Sequence, residues 1–247
     1  LGKRSDGYHE VRMLMAGVSL YDELSFRPAT QLSLHCDLPS LDCGPKNLIL
    51  RAAKALQRAT GCQDGAQISL KKSIPLGGGL AGGSTDAATT LLGLNKLWQT
   101  RLSLDALRKI GATIGSDIPF CISSGWALAT GRGENTKPLS LRRKLHLVLA
   151  NPGFEVSTQW AYASLGRLLA PKQNKSQRAF DAIQNRDLAA LERASVNDLE
   201  AVTATRYAEI RQIKGLMLEY GAQMTRMSGS GPTVWGLFEH ETAAEKA

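Results

Sequence analysis

Apolar residues recur along this chain at two spacings, one of two residues and one of three to four. His9, Val11, Met13 and Met15 alternate with other residues, and Leu32, Leu34 and Cys36 do so again beyond a turn at Pro28. Residues 8–37 therefore read as strands. From Asn47 to Arg58 the pattern widens: Leu48, Leu50, Ala53, Leu56 and Ala59 fall on one face of a helix that Gly61 closes. Ala66 to Leu70 is a short strand ending at Lys71-Lys72-Ser73, and residues 84–98 read as a helix. Ser103 caps another helix from Leu104 to Ile114. Asp117 to Ser123 is short and apolar, Trp126 to Thr130 is a strand running into Gly131-Arg-Gly133, and Leu145 to Ala150 is a buried strand.

Beyond Asn151-Pro152-Gly153 the texture changes. Helical spacing dominates from Ser157 to about Tyr220, broken by the polar stretch Lys172–Gln177. Two strands, Gln223–Met227 and Thr233–Phe238, flank Ser228-Gly-Ser-Gly231. The pattern predicts an α+β protein of two domains, residues 1–150 and residues 151–247.

Composition narrows the function classes. At 247 residues, 43% hydrophobic and 21% charged, the chain has enough apolar surface to fold. It lacks any run near the roughly 20 apolar residues that a spanning helix needs, so no membrane partner is expected. The four cysteines, at 36, 43, 62 and 121, form no CxxC pair, and four histidines form no HExxH. A protein metal site is therefore not expected, and the cysteines read as reduced, mostly buried thiols of a cytoplasmic protein. A net charge of +8 and a pI near 9.5 suit anionic partners, or simply solubility. The densest basic cluster is Arg142-Arg143-Lys144, and no recognised nucleic-acid motif accompanies it. Leu1 stands where a methionine would, with no apolar h-region after it, and the last residues read as a helix without a cap. Both ends read as cut from a longer chain.

Three segments carry chemistry. Five glycines lie between Gly77 and Gly83, and Ser84 and Thr85 then open a helix. Such a run lets backbone N–H groups converge at a helix N-terminus, where a polyphosphate is the natural guest. Gly78 and Gly83 have the GxxxxG spacing of a P-loop, yet Ser84 occupies the lysine position, so the ordinary P-loop reading fails. A flexible hinge is the plain alternative. Asp117, between a glycine turn and an apolar stretch, is placed either as a general base for a hydroxyl or as a cap. Met227-Ser-Gly-Ser-Gly-Pro232 is a second small-residue loop, able to approach a ligand or simply to turn a hairpin.

Together these segments resemble one family. Pro75-x-Gly-x-Gly-Leu80-x-Gly-Gly-Ser-Thr-x-Ala-Ala88 resembles the phosphate loop of the galactokinase, homoserine, mevalonate and phosphomevalonate (GHMP) kinase superfamily, and Met227-Ser-Gly-Ser-Gly231 its C-terminal glycine loop. Gly2-Lys-Arg-Ser-Asp-Gly-Tyr-His9, Lys46-Asn-Leu48 and Gly115-Ser-Asp-Ile-Pro-Phe120 are similar to the branch that phosphorylates a cytidine-diphosphate-linked methylerythritol. The match runs in order along nearly the whole chain.

The resemblance implies a ribosomal-S5-like N-terminal domain and a ferredoxin-like C-terminal domain, with the active site between them. ATP would lie on Pro75-Leu76-Gly77-Gly78-Gly79-Leu80-Ala81-Gly82-Gly83-Ser84-Thr85. The substrate would meet Tyr8 and His9, with Tyr162 as a second wall for the cytosine, and Gly229 and Ser230. Asp117 would bind the substrate and take the proton of its 2-hydroxyl. Mg²⁺ would be held mainly by the ATP phosphates and water, with the Ser84 hydroxyl near a phosphate oxygen or the ion. Another superfamily kinase, of homoserine or mevalonate type, or a catalytically silent nucleotide-binding relative are the alternatives. Two departures stand out: the family's first strand, with its Pro-Ala-Lys-x-Asn-Leu segment, would precede Leu1, and Ala81 replaces a common glycine. An alanine fits there if φ is negative.

Overall fold

The fold is described from a computed structural model, which covers residues 2–5, 7–141, 144–165 and 175–247. Asp6 of the Asp-Gly-Tyr-His element, Arg142-Arg143 and residues 172–174 of the polar stretch lie outside the described residues. The first half runs β1 (Gly2–Lys3), β2 (His9–Ala16), β3 (Glu23–Ala29), β4 (Leu32–Cys36), α1 (Leu48–Thr60), β5 (Gly65–Lys71) and α2 (Gly82–Leu97). Next come α3 (Leu104–Ala112), α4 (Ile118–Ser123), β6 (Trp126–Gly131), β7 (Asn135–Leu139) and β8 (His146–Ala150). The chain continues through α5 (Thr158–Leu165), α6 (Lys175–Asn185), α7 (Leu188–Ala194), α8 (Asp198–Arg206) and α9 (Ala208–Glu219), and ends with β9 (Met224–Met227), β10 (Val234–Phe238) and α10 (Glu241–Glu245).

These elements form two compact units that are discontinuous in sequence. One contains residues 15–74 and 81–139; the other contains residues 1–14, 75–80 and 140–247. Residues 1–14 and 75–80 thus pack with the C-terminal stretch, which a division into 1–150 and 151–247 keeps apart.

In the first unit β5 is the central strand, antiparallel to β3 and parallel to β4. Ala66, Ile68 and Leu70 of β5 are buried while Gln67 and Lys71 point outward, the alternation of a half-covered sheet. Helix α1 buries Ile49, Ala52, Ala53 and Leu56; Asn47 caps it through Oδ1 to the Ile49 N–H at 2.9 Å, and Gly61 ends it at φ 72°. Helix α2 packs on α1, and α3 and α4 pack on α2. Pro28 lies within edge strand β3, opposite Ala66, so the turn comes after it, at residues 30–31. An edge strand tolerates a residue with no N–H to give. Strand β7, with Pro138 in it, pairs antiparallel with β6 and has too little apolar alternation to be legible.

In the second unit β10 is central between β8 and β9, all antiparallel. Helix α9 covers β9 and β10, and the core gathers Leu199, Ile210, Met217, Met227, Val234 and Phe238. Strand β8 is half-buried throughout rather than buried, as its place at the edge of this sheet dictates. All four cysteines are free, but only Cys36 is buried.

Gly93 decides how closely α2 approaches the sheet. A Cβ there would lie 2.5 Å from the Phe26 ring of β3. Gly93→Ala gains about 1 kcal/mol of helix propensity and loses about 1–3 kcal/mol to overpacking. Net destabilisation in a denaturant titration is expected; a gain would show that the ring moves freely.

Candidate active site

The glycine run joins β5 to α2, and its backbone has a definite polarity. Gly77, Gly79 and Ala81 have positive φ (57°, 74° and 53°) while Gly78 and Leu80 do not, the alternating handedness of an anion-binding nest. The carbonyls are occupied. Val156 N–H donates to Gly77 O at 3.4 Å, Thr233 N–H to Gly78 O at 3.2 Å, and Ser228 Oγ to Gly79 O at 2.9 Å. No backbone N–H from Gly77 to Ser84 donates to an acceptor among the described residues. Donors outnumber acceptors at this surface, and the last three belong to the first turn of α2, whose dipole adds positive potential.

Helix α2 begins at Gly82, two residues before Ser84, so Ser84 and Thr85 lie at its third and fourth positions. Ala81 caps it in the left-handed conformation, contrary to the negative φ its side chain favours. Gly82 is buried, and a Cβ there would meet Ile74 Cγ2 at 2.9 Å and Lys72 Nζ at 3.1 Å. Gly83 is exposed, with only Leu48 Cδ1 within reach, at 3.3 Å.

The second small-residue loop connects β9 to β10, so it is a hairpin loop, and it also packs against the first. A Cβ on Gly79 would strike Ser228 O, and one on Gly229 would lie 3.0 Å from Gly79 O. Only glycine at both positions allows the two backbones this approach. Asn197 Nδ2 holds the loop through Met227 O and Gly229 O at 2.9 and 2.8 Å. Ser230 is buried, its hydroxyl 3.0 Å from that of Thr158.

Asp117 sits at the N-cap position of α4, yet its carboxylate makes no capping bond and has no hydrogen-bond partner among the described residues. Burial pushes its carboxyl above the ordinary range. One turn on, Cys121 receives a hydrogen bond from Thr85 Oγ1 at 3.5 Å, which ties α4 to the first turn of α2. Burial drives that thiol up to about 11, so it stays protonated.

Comparison with known proteins gives the family. Residues 47–125 match the GHMP kinases N terminal domain and residues 179–247 the GHMP kinases C terminal domain. The 4-diphosphocytidyl-2-C-methyl-D-erythritol kinase of Pelotomaculum thermopropionicum is 45% identical over 96% of this chain and 83% of its own. That of Thermodesulfovibrio yellowstonii is 41% identical over 100% of this chain and 87% of its own. A solved 4-(cytidine 5'-diphospho)-2C-methyl-D-erythritol kinase superposes with a TM-score of 0.82 at 34% identity, over 99% of this chain and 87% of that one. The chain belongs to this kinase family.

The aromatic residues expected at the substrate end of such a kinase divide. His9 and Tyr162 stack on each other, ring centroids 5.2 Å apart at 29°. Tyr8 is 54% exposed and presents its ring outward.

Sequence reasoning missed a buried ionic cluster beneath the loop. Lys72 Nζ contacts Asp22 Oδ2 closely and lies 3.6 Å from Asp86 Oδ2; the three side chains are 3%, 1% and 4% exposed, Asp22 at the lowest value. Asp86 was legible only as a polar residue in the first turns of α2, and Asp22 lies 50 residues from Lys72. The sequence names no partner for the Lys72 ammonium.

Two outcomes follow from the loop geometry. Gly83→Val should fold, because its neighbour is a flexible leucine tip, and should weaken ATP binding more than tenfold by crowding the free amides; calorimetry checks this. Ala81→Gly should raise stability by about 1 kcal/mol, the cost of a left-handed alanine, in a denaturant titration.

Proposed function

We propose that the protein transfers the γ-phosphoryl group of ATP to the 2-hydroxyl of 4-diphosphocytidyl-2-C-methyl-D-erythritol, in the non-mevalonate route to isoprenoid precursors. The observation that carries the phosphate-binding part is the backbone polarity of residues 77–84: carbonyls tied down, amides free. The named relatives and the solved neighbour supply the substrate class.

Phosphoryl transfer asks a protein mainly for position and charge stabilisation. The free amides of residues 77–84 and the dipole of α2 bind the triphosphate oxygens. Ser84, at the third helical position, offers a hydroxyl to a phosphate oxygen or to Mg²⁺ entering with ATP. Among the described residues no three metal-ligating side chains cluster, and Asp86 is committed to Lys72. Phosphates and water would be the main ligands of the ion, which would supply charge neutralisation at the leaving group. Asp117 accepts the proton as the 2-hydroxyl oxygen attacks phosphorus and ADP departs. Its raised pKa makes it a stronger base than an ordinary aspartate.

No helix of the described residues is long and apolar enough to cross a membrane. Free thiols at four positions fit a reducing cytoplasm.

ADP release by the natural polypeptide with ATP, Mg²⁺ and the cytidine-linked alcohol tests the assignment. Turnover with homoserine or mevalonate instead would overturn it, and ATP binding without turnover of any alcohol would mark a silent relative. Asp117→Asn should lower kcat by roughly 10²–10⁴ with both KM values within a few-fold. The same change should leave stability at pH 8 equal or higher. A raised folded pKa means burial disfavours the charged form, and this penalty grows as pH rises through that pKa. Asparagine never incurs it. Near-normal kcat would assign Asp117 to structure.

A further inference from the structure

The chain leaving β5 is captured by carboxylates before it enters the glycine run. Lys72 N–H donates to Asp37 Oδ1 at 2.8 Å; Ser73 and Ile74 N–H both donate to Asp22 Oδ1, at 2.6 and 2.8 Å. Three consecutive amides are thereby fixed. The other oxygen of Asp22 grips Lys72 Nζ, and the same ammonium reaches Asp86 in the second turn of α2. Nζ also lies directly under Gly82, where a Cβ would stand 3.1 Å from it. One buried cation therefore joins Asp22, which holds the Ser73 and Ile74 amides before the run, to Asp86 in the helix after it. The second oxygen of Asp86, Oδ1, is buried with no hydrogen-bond partner. A buried orphan oxygen is costly, and Asp86 bears that cost while its other oxygen, Oδ2, faces Lys72 Nζ.

We propose that Asp22, Lys72 and Asp86 are positioning residues for the glycine loop: they fix its two ends to one another and so set the affinity for ATP without touching it. The proposal rests on the reading of residues 77–84 as the phosphate site. A loop rich in glycine loses much conformational freedom when it wraps a ligand. Fixing its ends beforehand removes part of that loss, which is the effect of preorganisation on affinity. Burial pushes the Asp86 carboxyl up to about 7, with Lys72 opposing and Asp22 reinforcing the shift, so a neutral side chain of the same shape is its natural mimic.

The test compares Asp86→Ala and Asp86→Ser, neither of which spans the gap to Lys72, with the isosteric Asp86→Asn. In protein shown folded by circular dichroism, the two short variants should raise KM for ATP about tenfold. Their kcat and their KM for the alcohol should stay within threefold, and Asp86→Asn should return KM for ATP to within threefold of the parent. A lowered melting temperature with unchanged KM for ATP would overturn the proposal, as would equal losses in kcat and both KM values. Gly83→Val is the companion measurement. If it weakens ATP binding while Asp86→Ala and Asp86→Ser do not, the loop reading stands and the positioning role falls. If Gly83→Val leaves ATP binding intact, both fall. Should Asp86→Ala fail to fold, Asp86→Ser supplies the same comparison.

Discussion

Three hydrogen bonds to carbonyl oxygens decide what the glycine run can be. A peptide offers one donor and one acceptor per residue, so a bare loop shows a visiting anion as many repelling oxygens as attracting N–H groups. By giving Gly77, Gly78 and Gly79 O to Val156, Thr233 and Ser228, the protein removes the repelling half. What remains at these residues is their N–H groups, and the chain then enters the N-terminus of a 16-residue helix. The glycines of the β9–β10 loop are required by the same bonds. Only a chain without side chains at 79 and 229 lets Ser228 come close enough to donate.

The charge distribution follows a related logic. A surplus of eight positive charges raises anion affinity everywhere, but it cannot choose a site. The choice is local, and it is made with neutral dipoles at the loop and with acids placed out of water behind it. Asp86 and Asp117 both have raised pKa values through burial, yet their circumstances differ. Asp86 has a lysine at 3.6 Å, and Asp117 makes no capping bond and has no hydrogen-bond partner among the described residues. The first is anchored and serves the frame; the second is unspent and suits proton transfer.

Much of this was legible before any coordinates. The helix at 48–60 announces itself through a single apolar face and its closing Gly61, and that at 104–112 through its cap at Ser103, because cap and face are local properties. The glycine run was legible for the same reason: its chemistry lies in consecutive residues. What could not be read depends on contacts distant in sequence. The handedness of Ala81 is set by the packing of its neighbours, and so opposes local preference. Strand β7 takes its register from β6 rather than from its own pattern. The Asp22–Lys72–Asp86 cluster joins residues 14 and 50 positions apart. Although the alternation of β5, carried on by one residue, turns Lys72 to the buried face and Lys71 outward, it names no partner for the buried ammonium. The discontinuity of the two units is likewise invisible to a reading that moves along the chain.

Within the first unit three departures from local preference fall at the heads of α2 and α4, while Gln99, Arg101 and Ser124 take positive φ elsewhere. An alanine at positive φ caps α2, a carboxylate at the head of α4 declines to cap it, and a buried aspartate oxygen in α2 has no partner. Each is unfavourable by about 1–3 kcal/mol on ordinary scales, a missing cap by about 1 kcal/mol. Set against a net stability of about 5–15 kcal/mol for a folded protein, three such costs close together would not persist if packing alone were selected. The well-capped ends of α1 and α3 show that this chain makes conventional termini where nothing else is asked of them. The adjoining heads of α2 and α4, which Thr85 and Cys121 link, hold three such departures together.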